Sequence, residues 1–150
     1  MDKLIASGLG IGYVGRGGGT LAAGACGLAL YLARAAEPTR QLLPALLLTA
    51  GLLVAGTVAA QLVESAWGKD HQRVVIDEVA GMWLTMLGVP LTGASLLAGL
   101  VLFRFFDIRK PLGIRALERL PGGVGVMLDD VLAGLYANVL LQAGVKFHLF

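Results

Sequence analysis

The chain has 150 residues, 57% hydrophobic and 15% charged, with a mean hydropathy of +0.78, a balance that points to lipid rather than to a soluble globule. A net charge of +2, with basic residues spread along the chain instead of gathered in one patch, argues against a nucleic-acid partner. The one cysteine, Cys26, lies in an apolar run, which excludes an internal disulfide and a cysteine-built metal site and leaves packing as its role.

The length fits one domain over residues 1–150, and no Ser- or Pro-rich linker divides it. The N-terminal stretch SGLGIGYVGRGGGTLAAG has seven glycines from Gly8 to Gly19, then Thr20 at the start of an apolar segment, Thr20–Ala33. No basic n-region precedes that segment, so a cleaved signal peptide is not expected and the mature chain is expected to start here. Backbone amides of such a turn can cradle phosphate oxygens at a helix start, which makes Gly19 and Thr20 candidate phosphate-binding residues. The stretch is not a P-loop, since no Gly-Lys-Ser or Gly-Lys-Thr follows and no strand precedes it. A flexible membrane-entry segment is an equal reading.

The segment Leu42–Glu64 is free of charge from Leu42 to Ala60 and is long enough to cross a bilayer. Gly51, Ala55 and Ala59 recur every four residues along it, a ridge of small side chains expected to pack against another helix. The next apolar stretch, Val79–Phe103, would be ~37 Å long as one helix. However, Gly88, Pro90 and Gly93 interrupt it, and the residue before a proline is driven from helical geometry. Two short helices joined by a turn are therefore expected, a hairpin that dips into the bilayer and returns Asp107 to the side of Asp77 and Glu78; its turn must then be buried in protein. The last apolar segment, Val131–Val145, is expected to begin just after Asp129 and Asp130 and to end at Lys146 and His148. The fold class expected is an all-α integral membrane bundle of about three spanning helices plus the short hairpin over Val79–Phe103.

This topology places Lys3, Arg16, Lys69, Arg73, Arg104, Arg109, Lys110, Arg115 and Arg119 on one face, and Arg34, Arg40 and Lys146 on the other, nine basic residues against three. The positive-inside rule makes the nine-charge face cytoplasmic. Of the acids after Asp2, only Glu37 falls on the opposite face.

Three segments converge there: KDHQRVVIDEVAG at Lys69–Gly81, FRFFDIRKP at Phe103–Pro111 and GGVGVMLDDVLAG at Gly122–Gly134. Each is expected to bring a carboxylate to a helix end. Adjacent carboxylates close to lipid repel one another and are costly to desolvate, which a bound cation explains better than structure alone. The bland alternative is that each pair caps a helix N-terminus; it leaves Asp107 and the neighbouring basic residues unexplained. Asp77, Glu78, Asp107, Asp129 and Asp130 are thus the candidate catalytic and metal-binding residues, and an all-oxygen set favours magnesium, manganese or calcium over zinc. IDEVAG at Ile76–Gly81 and LDDVLAG at Leu128–Gly134 echo each other, with a glycine three or four residues after the second acid, where a ligand or another backbone can approach. Coincidence explains the echo nearly as well.

Lys69, Arg104 and Lys110 are the candidate phosphate-binding cations. Arg104, Asp107 and Lys110 are spaced three apart and share a face if the helix continues through them. Arg109 and Arg115 read as ordinary surface charges. Metal and cations together suit a phosphoryl group, the metal polarising it and lowering the pKa of an attacking water. A carboxylate acting as general base or as nucleophile is equally compatible with the spacing. Cys26 lacks the basic loop of a thiolate nucleophile, and His71 and His148 lie in no phosphohistidine pattern.

At VIDEVAGMW (Val75–Trp83), FRFFDIRKP (Phe103–Pro111) and GGVGVMLDDVLAG (Gly122–Gly134) the sequence resembles the phosphatidylglycerophosphatase A family, and the likeness extends over nearly the whole chain. The resemblance implies magnesium-dependent removal of the terminal phosphate of phosphatidylglycerophosphate, giving phosphatidylglycerol, by a multi-pass protein of the bacterial inner membrane with a cytoplasmic active site. The family's N-terminal pattern sets prolines around a Pro-Gly-Thr; this chain keeps Gly19 and Thr20 without the prolines. Three other readings compete. A phosphatidyltransferase would need a linear aspartate arrangement that is absent. A transporter or non-enzymatic metal-binding membrane protein would carry its charges nearer the bilayer midplane. An isoprenoid phosphate remains an alternative substrate.

Overall fold

The computed structural model describes residues 1–34, 41–68 and 71–149, and every regular element among them is helical. The order is α1 (Asp2–Ala6), a single 3-10 turn (Ile11–Val14), α2 (Gly18–Leu32), α3 (Leu42–Trp67), α4 (Ile76–Thr85), α5 (Gly93–Arg109), α6 (Ile114–Leu117) and α7 (Gly122–Lys146). The expected all-α class is what the chain forms. Among the described residues two helices are long and apolar enough to cross a membrane, over Leu43–Trp67 and Gly122–Lys146. The third expected span, α2, has 15 residues, or ~22 Å at 1.5 Å per residue, short of a ~30 Å hydrocarbon core.

Packing centres on α7, which touches α3, α4, α5 and α6. It begins at Gly122 rather than Val131, because the glycines that resemble a loop in sequence serve close helix contact. A Cβ on Gly123 would collide with the Thr57 carbonyl oxygen of α3, and the Gly123 N–H donates to Gln61 Oε1 at 3.1 Å. Asp129 and Asp130 are consequently well inside the helix, which removes N-terminal capping as an account of that pair. The expected Gly51/Ala55/Ala59 ridge is only partly used. Ala59 is buried, but Gly51 and Ala55 are exposed and a Cβ on Gly51 would meet nothing within 4 Å. The close approach on α3 is at Gly56, against the Met127 side chain.

The hairpin forms as α4 and α5. Its turn contains Gly88 at φ 72° and closes on a capping box, with Thr92 Oγ1 accepting from the Ser95 N–H at 3.0 Å and Ser95 Oγ accepting from the Thr92 N–H at 3.0 Å. The last carbonyls of a helix need partners from outside it, and α7 supplies them. Asn138 Nδ2 donates to the Thr85 and Leu87 carbonyls at 2.9 and 2.8 Å, and Gln142 Nε2 to Leu87 at 3.0 Å. Met82, Met86, Phe103 and Leu141 fill the space between these helices, and Trp83 Nε1 donates to Thr49 Oγ1 of α3 at 2.8 Å.

Candidate active site

The chain leading into α4 is fixed by the Val75 N–H, which donates to the Ala6 carbonyl at 2.9 Å. Asp77 and Glu78 then fall in the first turn of α4. The two acidic pairs share a local geometry: Asp77 Oδ1 accepts from the Glu78 N–H at 3.1 Å, and Asp129 Oδ1 from the Asp130 N–H at 3.0 Å. The glycines of the sequence echo bring the pairs together. A Cβ on Gly134 would collide with the Gly81 carbonyl oxygen, and one on Gly81 with the Phe103 ring, so α4 and α7 cross at backbone contact. One oxygen each from Asp77, Glu78 and Asp130 then lies within 4.8 Å of the others.

The remaining two carboxylates are held by cations. Arg104 Nη1 is 2.5 Å from Asp107 Oδ2 and 3.7 Å from Glu78 Oε1, so the hairpin does return Asp107 to Glu78. Lys110 Nζ is 2.5 Å from Asp129 Oδ2 and 3.4 Å from Glu118 Oε1. The shared helical face of Arg104, Asp107 and Lys110 stops short of Lys110, because α5 ends at Arg109 and Lys110 turns left-handed at φ 45°. It is that turn from which Lys110 meets Asp129.

All five carboxylates, Arg104 and Lys110 line one cavity of about 440 Å³, whose opposite wall is the Gly15–Gly19 turn and the N-terminus of α2. Gly19 is buried and abuts Glu78 so closely that a Cβ there would collide with Glu78 Oε1. Thr20, its expected companion, is exposed and is not part of the cavity wall. Lys69, the third expected cation, lies outside the described residues. Three further wall residues escaped sequence reasoning: Arg16, His71 and Gln72. His71 Nδ1 accepts from the Arg73 N–H at 3.2 Å, which leaves Nε2 to carry the proton of the neutral ring. A lone histidine has no spacing to mark it, and its ring contact with Trp67 at 6.1 Å lies beyond the end of α3, where no helical period announces it.

The electrostatics of this wall are unfavourable without a cation. Burial, then the neighbouring Glu78 and Asp130, raises the Asp77 carboxyl well above the usual range. Burial also raises Glu78, with Asp107 adding to the rise and Arg104 opposing it. For Lys110 burial works against the charged form, but Asp129 and Glu118 outweigh it and the net shift is upward. Glu78 Oε2 and Asp130 Oδ2 are buried with no hydrogen-bond partner, a costly state for a carboxylate oxygen. Three converging carboxylates, two of them with an orphaned oxygen, and no nitrogen or sulfur donor among them, fit a hard divalent cation.

A family profile for phosphatidylglycerophosphatase A matches residues 4–145. The chain is 44% identical over 154 residues to a protein of Bacteroides thetaiotaomicron named putative phosphatidylinositol-3-phosphatase, covering 94% of this chain and 91% of that one. It is 40% identical over 101 residues to phosphatidylglycerophosphatase A of Haemophilus influenzae, covering 65% of this chain and 62% of the relative. Against phosphatidylglycerophosphatase A of Escherichia coli the identity is 33% over 101 residues, covering 66% and 56%. No solved structure matches the chain.

Proposed function

The chain belongs to the phosphatidylglycerophosphatase A family and is a phosphoric monoester hydrolase, and on that premise we propose that it removes the terminal phosphate of phosphatidylglycerophosphate in a magnesium-dependent reaction. The observation that carries the reading is the convergence of Asp77, Glu78 and Asp130 within 4.8 Å beside Arg104 and Lys110 in one cavity. Asp77, Glu78 and Asp130 would hold the magnesium ion, which when bound supplies an electrophile for the phosphoryl oxygens and offsets the carboxylate charge.

The other residues bind and orient. Arg104, anchored on Asp107, and Lys110, anchored on Asp129, share the negative charge that the phosphoryl oxygens gain in the transition state. The N-terminus of α2, through Gly17–Gly19, adds the positive end of a helix dipole to the same group. A carboxylate of this wall takes the proton of the attacking water. Arg16, His71 and Gln72 line the same cavity and are suited to the polar head group beyond the phosphate.

We further propose a multi-pass protein of the bacterial inner membrane with this cavity on the cytoplasmic face. Two helices meet the length and hydropathy of a span, and α3 exposes Leu43, Leu46, Leu47, Val54, Val58 and Leu62, an apolar surface suited to lipid. Arg16, Arg104 and Lys110 line the cavity, and Lys3 and Arg73 lie over the Trp67 ring, cations beside an aromatic as at a membrane interface.

A second substrate has one observation in its favour, the name of the Bacteroides relative, which points to a phosphoinositide 3-phosphate. Phosphate release by the purified protein from phosphatidylglycerophosphate, phosphatidylinositol 3-phosphate, phosphatidate and an isoprenyl phosphate, with magnesium and with chelator, tests both. Selective, chelator-sensitive release from phosphatidylglycerophosphate is expected. Preference for another lipid, or release indifferent to chelator, overturns the reading.

A further inference from the structure

His71 is held on the cavity wall by its own turn, by α3 and by the N-terminal segment. Its carbonyl accepts from the Val74 N–H at 2.7 Å, and its Nδ1 accepts from the Arg73 N–H at 3.2 Å. Its ring lies 6.1 Å from that of Trp67, the last residue of α3. The Arg73 guanidinium in turn sits 5.4 Å from the Tyr13 ring and 5.9 Å from the Trp67 ring, which meet edge to face. The backbone of this segment has no slack either: a Cβ on Gly12 would collide with the Arg73 carbonyl oxygen, and the Val75 N–H donates to the Ala6 carbonyl.

This bracing selects one tautomer. An Nδ1 that accepts from an amide keeps its lone pair, so the ring is neutral and its proton is on Nε2. Such a ring has no second lone pair with which to take a proton from water, and giving one up would leave an imidazolate. What it can do is donate a hydrogen bond. Among the described residues the bond at Nδ1 is the ring's only one, and His71 lines the cavity, so Nε2–H is left for what the cavity holds. Arg16 and Gln72 line the same wall, but both are exposed, whereas His71 is half-buried. A donor fixed before the reaction begins is the kind that lowers a barrier.

The phosphoryl oxygens already have their partners in the reaction proposed above: Arg104, Lys110 and the N-terminus of α2. The oxygen left over is the one that joins phosphorus to the alcohol, which gains negative charge as its bond breaks. We infer that His71 is a catalytic residue that donates Nε2–H to this leaving oxygen. The inference rests on the cavity being a monoester hydrolase site and deepens it. As the bond from water oxygen to phosphorus forms, the bond from phosphorus to the alcohol oxygen breaks, and its electron pair stays on the alcohol oxygen. That oxygen is protonated from cavity water, the proton taken from the attacking water leaves its carboxylate for solvent, and His71 ends the turnover unchanged.

The test compares phosphatidylglycerophosphate with its phosphorothiolate, in which sulfur replaces the oxygen between phosphorus and the departing glycerol. A sulfur leaving group accepts hydrogen bonds weakly and gains little from a donor. His71→Asn keeps an acceptor for the Arg73 N–H and places no donor at Nε2, and it should lower the ratio of kcat for the oxygen ester to kcat for the sulfur ester by about tenfold or more. His71→Gln, whose amide reaches the Nε2 position, should recover part of that ratio. Nitrogen-15 NMR of the full-length protein in lipid nanodiscs, with labelled histidine and His148, the other histidine, as internal comparison, should show His71 neutral with its proton on Nε2. A purely structural role slows both esters alike and leaves the ratio unchanged. That result, a ratio as low in His71→Gln as in His71→Asn, or a ring that is charged or protonated on Nδ1 overturns the inference while the hydrolase reading stands. An unsubstituted protein that cleaves neither ester overturns both.

Discussion

Gly134 of α7 packs against the carbonyl of Gly81 in α4, and neither position has room for a Cβ. This contact sets the distance between the Asp77/Glu78 pair and the Asp129/Asp130 pair. Alanine is favoured over glycine by about 1 kcal/mol in a helix interior, so a loss at this site measures the collision with backbone. Gly134→Ala should lower both the melting temperature in detergent and the rate of phosphate release. Gly51→Ala, whose Cβ meets nothing, should preserve both. Native behaviour of Gly134→Ala would show that the two helices separate without consequence.

The hairpin was legible because Gly88, Pro90 and Gly93 break an apolar run that is too long for one crossing, and its return of Asp107 to Glu78 follows from that break alone. The five carboxylates were legible because buried charge in an apolar chain demands a partner. The start of α7 was not: Gly122, Gly123 and Gly125 look like a loop until Thr57 and Gln61 are brought against them, a contact between residues far apart in sequence. Position within the wall was hidden for the same reason. Adjacent residues Gly19 and Thr20 point to different surroundings once α2 begins at Gly18, one against Glu78 and the other outward, and no local pattern separates them.

That difference is testable. Gly19→Ala pushes against Glu78 Oε1, the far end of a side chain, so the carboxylate moves and the fold survives. Weaker magnesium activation and a lower kcat are expected with little change in melting temperature. Thr20→Val, on the exposed side of the same helix, should leave both the metal requirement and KM unaltered. If Thr20→Val raised KM while Gly19→Ala did nothing, the cavity wall would be drawn wrongly.

Arg104 meets both Asp107 and Glu78 through Nη1, which leaves the rest of the guanidinium, donors that a lysine lacks, for the phosphoryl oxygens. Removing one well-aimed donor to a developing oxyanion typically costs about 3 kcal/mol, roughly a hundredfold in rate. Arg104→Gln should therefore lose about that much kcat, and Arg104→Lys should recover only part of it. Equal activity of the two variants would limit Arg104 to a structural role.

The turn between α4 and α5 depends on Asn138, which donates to both the Thr85 and Leu87 carbonyls. Asn138→Leu removes the side-chain donor of the Thr85 carbonyl and leaves Leu87 with Gln142 alone, at a cost of about 1–3 kcal/mol. The expected readout is a lower melting temperature and faster hydrogen exchange at 86–92, with kcat per folded molecule retained. A variant as stable as the parent would mean that the turn finds other partners.

The pH dependence of the metal-free protein follows from Asp77 and Glu78. Unfolded carboxylates titrate near ~4, whereas burial and neighbouring carboxylates raise both groups in the folded chain. Above pH ~4 and up to the raised folded values, the native state binds more protons than the unfolded one, so stability falls as pH rises through that window. A cation held by the ionised carboxylates acts in the opposite sense, binding the native state more tightly as protons leave. In chelator, the melting temperature should drop between about pH 5 and pH 8; with saturating magnesium the drop should shrink or reverse. Asp77→Asn should flatten the chelator profile, because it removes one of the raised groups. Magnesium stabilisation that is as large at pH 5 as at pH 8 would separate metal binding from these carboxylates.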